Sequence, residues 1–146
     1  MRRFLTGLLI VAVAACSTNG ATDLDTDAAI AAALAGGPVE VALRHGESKR
    51  VAGEQLSVRF NRVVTDSRCP IDVVCVWAGD GVAEVELTTA GGRAGTLELH
   101  TSLEPKSGLW SGVKVTLLEL APAPRASAPT EPAASSVRLQ LERASP

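Results

Sequence analysis

The chain has 146 residues, enough for one domain of ordinary size. Its formal charge is only −2 and no basic run occurs, which argues against nucleic acid as a partner. Aromatic residues make up 3% with no Tyr, so a core must be built from Val, Leu and Ala.

Residues 1–15 read as a leader, to be set aside before the fold is considered. Arg2 and Arg3 form a positive start, residues 4–13 are apolar, and Ala14-Ala15 are the small residues that precede a cleavage site. The apolar run is far shorter than the ~20 residues of a permanent membrane-spanning helix. It ends in Val13-Ala14-Ala15-Cys16, which resembles a bacterial lipobox; an ordinary secretory signal that happens to contain a cysteine is the simpler alternative. The resemblance implies a lipoprotein whose mature chain starts at Cys16, with palmitate-type acyl chains on that residue as its attachment to a membrane. Ser17 follows where Asp would direct retention, so by resemblance to known sorting rules the site is the outer membrane if the cell is Gram-negative. Cleavage removes Arg2 and Arg3 and no acid, moving the charge from −2 to −4.

Residues 16–37 are rich in Ser, Thr, Asp, Ala and Gly and read as a flexible tether, with a short helix allowed over residues 27–35. Asp23, Asp25 and Asp27 have the alternate spacing of a calcium loop but lack its Gly and distal Glu, so no metal is expected there.

From Pro38 the pattern changes to a period of two, and residues 38–146 read as one β domain. Strands are predicted over residues 39–44, 49–52, 55–64, 73–78, 82–89, 96–100, 113–120 and 136–142. The turn at Gly79-Asp80-Gly81 would join two of them as a hairpin. Residues 101–112, with Pro105, Gly108 and Trp110, read as a connection, and residues 121–135 as an extended loop. The expected fold is all-β: a small antiparallel sandwich or barrel of about eight strands with one intradomain disulfide.

That disulfide is expected between Cys69 and Cys75, the two cysteines left once Cys16 is lipidated in an oxidising compartment. The short ring is worth about 2–2.5 kcal/mol in the chain-entropy model. Its role is read as structural, fixing the register of a strand buried at residues 73–77 with Trp77 in the core. Asp66, Asp72 and Asp80 read as turn residues.

Functional readings of the same segment are few. Arg68 and Pro70, on the half of the loop expected to be exposed, are candidate contacts; so is Trp110, unless it packs on the sheet edge. A rigid Arg68-Cys69-Pro70 loop also suits an inhibitor of secreted proteases. A metal would need ligands beyond two thiolates, and His45 and His100 lie in other segments. The cysteine spacing is wider than that of redox-active Cys-x-x-Cys. No Gly-x-Ser-x-Gly, His-Glu-x-x-His or phosphate-loop pattern occurs, so no catalysis and no cofactor is expected.

Asp66-Ser67-Arg68-Cys69-Pro70 and the following Val74-Cys75-Val76-Trp77-Ala78-Gly79 resemble a pattern in small uncharacterised bacterial lipoproteins and secreted proteins. The resemblance implies a small disulfide-bearing β domain and leaves the function open. The sequence thus predicts a monomeric, lipid-anchored cell-envelope protein acting as a binding or structural module, its partners the membrane through Cys16 and another envelope protein.

Overall fold

The computed structural model describes residues 23–145. The leader and the lipid attachment at Cys16 lie outside the described residues.

Alternation builds most of the molecule. Eight strands form: β1 (Val39–Arg44), β2 (Ser48–Val51), β3 (Leu56–Asp66), β4 (Gly81–Thr89), β5 (Ala94–His100), β6 (Ser107–Trp110), β7 (Val113–Ala121) and β8 (Ser136–Arg143). They make two antiparallel four-stranded sheets, ordered β1-β8-β7-β6 and β2-β3-β4-β5, and no closed barrel. The expected all-β fold is therefore a sandwich. Every second side chain of the long strands points inward. Val41 and Leu43, Val113 and Val115, and Leu139 and Leu141 come from one sheet. Leu56, Val58 and Phe60, Val85 and Leu87, and Leu99 come from the other. Among the described residues Phe60 alone supplies a ring to the fully buried core, and the rest is aliphatic, as the aromatic-poor composition requires.

The sheets approach closely where β5 faces β6. A Cβ on Gly95 would overlap the Trp110 indole, and the Arg93 guanidinium lies 5.6 Å from the centre of that ring. Trp110 is thus half-buried against the core, not a free contact residue.

Two elements differ from the sequence expectation. Residues 107–110, read as connection, form the edge strand β6 on β7. Residues 73–78, read as a buried strand, form none. The number of strands agrees because these differences cancel.

Part of the expected tether is folded. Helix α1 (Asp23–Ala33) starts earlier than predicted and docks on the sandwich. Thr26, Ile30 and Leu34, four residues apart, are all but completely buried, and Ile30 and Leu34 join the core. Asp27 of α1 accepts hydrogen bonds from Arg93, after β4, and from the hydroxyl of Ser111, after β6. The helix therefore covers one end of the sandwich. The opposite end carries the loops 67–80, 101–106 and 122–135, with roughly 30 Å of β4 between the two ends.

Candidate functional site

The cysteine segment is a 14-residue excursion between β3 and β4, strands that pair directly through Asp66 and Gly81. Two register shifts in β3, beyond Phe60 and beyond Val63, accompany its departure from the core. The neck of the loop continues the ladder. Ser67 N–H donates to the Asp80 carbonyl at 2.7 Å, and Cys69 N–H to the Ala78 carbonyl at 2.8 Å. Gly79, at φ 68°, sits against Ser67, where a Cβ would overlap the Ser67 carbonyl; no other residue closes the neck this tightly.

Arg68 fastens the neck to the other sheet. Its Nε and one terminal nitrogen bind the two Asp66 oxygens at 2.8 and 2.7 Å. It also donates to the Leu120 carbonyl, and to that of Pro122 at 2.9 Å. Asp66 accepts the Arg68 N–H as well, at 3.2 Å, as a turn residue does. Burial works against ionising Asp66, but the bonds and charge of Arg68 outweigh it and hold the carboxyl below its ordinary value. The Arg68 side chain is only 15% exposed. Where the sequence suggested an exposed contact, the Arg68 side chain is turned inward as a clasp on one carboxylate and two carbonyls. Pro70 is half-buried beside it.

Asp80 secures the base of the loop to residues 100–103. One carboxylate oxygen accepts from Ser102 N–H at 2.8 Å, Leu103 N–H at 3.4 Å and the Thr101 hydroxyl at 3.1 Å. The other meets His100 Nδ1 at 2.5 Å. Burial opposes the charge on Asp80, yet the donors from Ser102, His100, Leu103 and Thr101 prevail and bring its pKa to about 2. The nearest hydroxyl of the neck, Ser67, is committed to the Asp80 backbone, so the Asp80–His100 pair acts as a clamp.

The Cys69–Cys75 disulfide is formed as expected, with Cα atoms 5.9 Å apart. Beyond it, Asp72 reaches the 122–135 loop. Its carboxylate accepts from Ala126 N–H at 2.7 Å, and from Ser127 N–H at 3.1 Å and Oγ at 2.8 Å. These donors, led by the Ala126 N–H, lower its pKa to about 2. Ile71 N–H adds a bond to the Pro124 carbonyl at 3.0 Å. Asp72 and Asp80 are thus cross-braces between distant segments, where the sequence suggested local turns.

The apolar residues of the segment are outside. Val74, Val76 and Trp77 show 101%, 91% and 82% of their surface to solvent, and Ile71 and Val73 about half of theirs. The expected division of the loop is reversed. Residues 66–70 are clasped to the sandwich, and residues 73–77 form an exposed tip. The physical reason is the ring: six residues extended would span roughly 20 Å, and the disulfide closes them to 5.9 Å, so the chain must turn back before it can enter a sheet.

Among the described residues no group of three His, Cys, Asp or Glu is placed to hold a metal, and no helix is long and apolar enough to cross a membrane. A hollow of about 810 Å³ lies at the β1–β2 turn among Arg44, His45, Glu47 and Lys49 and is open. No known protein family, curated protein or solved structure matches the chain.

Proposed function

We propose that the chain is a lipid-anchored bacterial cell-envelope protein, non-catalytic, that binds through the tip of the disulfide loop. The carrying observation is the exposure of Val74, Val76 and Trp77 within four residues of one loop that is braced at three places. Water disfavours such a patch, and contiguous apolar surface of this kind marks interaction sites. Its rigidity means that little order has to be gained on binding. The anchor rests on the lipobox-like Val13-Ala14-Ala15-Cys16, and Ser17 favours the outer membrane of a Gram-negative cell. The chain is read as a monomer.

The two tryptophans make the test direct. Trp110→Phe leaves Trp77 as the single reporter on the tip. Its fluorescence shifts to the blue when fractionated envelope is added, because the exposed indole becomes covered. Unchanged emission with every fraction overturns the binding tip. Mass spectrometry of the mature chain checks the anchor separately: acyl mass on a chain starting at Cys16 is expected, and an unmodified Cys16 removes it.

A further inference from the structure

We infer that the Val74-Val76-Trp77 tip seats in an apolar cleft of a second, different envelope protein; this rests on the binding reading above and names the class of partner.

The chain's own uncovered segment does not fit the tip. Between the proposed mature start at Cys16 and Asp23 lie Ser-Thr-Asn-Gly-Ala-Thr, which are polar or small. They also join at Asp23, on the helix that covers the far end of the sandwich.

A second copy fits poorly. The tip offers only apolar side chains, so a second copy would have to receive it in a hollow of matching chemistry. The open hollow at the β1–β2 turn is lined by Arg44, Glu47 and Lys49, whose charges would be stripped of water by Trp77.

A bilayer fits poorly as well. Residues 69–80 contain no Lys or Arg and two Asp, so an anionic lipid surface gains nothing from them. Among the described residues, the N–H groups of Val74, Val76 and Trp77 have no backbone partner. Hydrocarbon would leave those donors unsatisfied, whereas a protein cleft supplies carbonyls along its wall. A protruding indole flanked by aliphatic side chains is the composition of a binding hot spot. Asp66 is paired with Arg68, and Asp72 is the single unpaired charge in the ring, so contact is mainly apolar and only weakly sensitive to salt.

The test uses the full chain in its own cells. A photo-crosslinking amino acid is placed at Val74, Val76 or Trp77 in turn, and at exposed Glu40 of β1 as control. The expected result is one protein captured from all three tip positions and not from Glu40. Purified, that protein binds the chain, loses at least about tenfold in affinity on Trp77→Ser, and changes by less than about twofold between low and high salt. Trp77→Ser keeps the thermal midpoint, because residue 77 lies outside the core. Two results overturn the partner class but leave the binding reading: crosslinks to lipid with Trp77-dependent binding to vesicles of phosphatidylethanolamine and phosphatidylglycerol, or a crosslinked dimer of the chain. Capture from Glu40 alone overturns the binding tip itself. Undiminished affinity of Trp77→Ser, or strong salt dependence, overturns the tip as an apolar contact. No crosslink from any position overturns both readings.

Discussion

Asp72 accepts the hydroxyl of Ser127 at 2.8 Å, from a residue 55 positions further along the chain. With the N–H groups of Ala126 and Ser127 on the same carboxylate, this ties the exposed tip to the long β7–β8 loop from outside the sandwich. The tip is therefore held by two independent means, the disulfide at its base and this bridge at its side. Loss of one should loosen it without unfolding the protein.

Asp72→Ala tests the bridge. The donors it frees are at the surface and pass to water, so the thermal midpoint should stay nearly unchanged. Hydrogen exchange at Ile71 N–H, which bonds to Pro124, should accelerate by about tenfold or more, while amides of β4 and β8 keep their protection. Equal acceleration across the sheets would mean that the loop and the sandwich open together.

Reduction of Cys69–Cys75 should have a small effect on global stability and a large one on the tip. Closing so short a ring is worth about 2 kcal/mol in the chain-entropy model, and none of the core side chains lies within it. A Cys69→Ser/Cys75→Ser variant should lose no more than about 2 kcal/mol in denaturant unfolding. It should also lose Trp77-dependent binding, because the tip no longer arrives ordered. Thiol labelling without reductant should find both cysteines blocked in the unaltered chain.

Asp80 is braced differently, because it is buried. Asp80→Ala leaves the Ser102 and Leu103 N–H groups without their acceptor and should cost about 1–3 kcal/mol. Acid should do the same reversibly. The folded pKa of about 2 lies below the ordinary 3.8 of an aspartate, so the ionised carboxylate stabilises the fold fully above about pH 4. That contribution is lost as pH falls from there toward 2. Asp72, also at about 2, adds its local effect in the same window. Thermal midpoints taken from pH 5 to pH 2 should fall steadily, and Asp80→Asn should flatten the slope. An unchanged slope in that variant would remove Asp80 as the acid-sensitive brace.

The parts of this fold that were legible in the sequence are those where burial imposes a period. Leu56, Val58 and Phe60 alternate with Ser57 and Arg59 because one side of β3 faces the core, and β1 and β8 show the same. β6 was hidden because four residues with a glycine carry too little pattern, and its place is set by pairing to β7. Residues 73–77 misled because an apolar run resembles a buried strand when no neighbour is known. The sequence did hold a correction: cysteines six apart that pair with each other enforce a reversal. Nothing comparable announces the cross-braces. The donors to Asp72 come from 54 and 55 residues away, and only the folded chain brings them together.

The helix offers the sharpest separation between tether and domain. Thr26, Ile30 and Leu34 recur every four residues, but the alanines around them weaken the contrast between faces, and the segment reads as linker. In the fold, Leu34 and Ile30 fill the end of the core beside β8 and the β4–β5 turn. Leu34→Ala should therefore cost about 2–4 kcal/mol, and Ile30→Ala a similar amount, as deletions of buried aliphatic groups do. Leu24→Ala, on the exposed side of the same helix, should cost less than about 0.5 kcal/mol. Denaturant unfolding of the three variants separates the alternatives. A flat response to Leu34→Ala and Ile30→Ala would return residues 23–37 to the tether, and a steep one makes the helix an integral seal on the end of the sandwich.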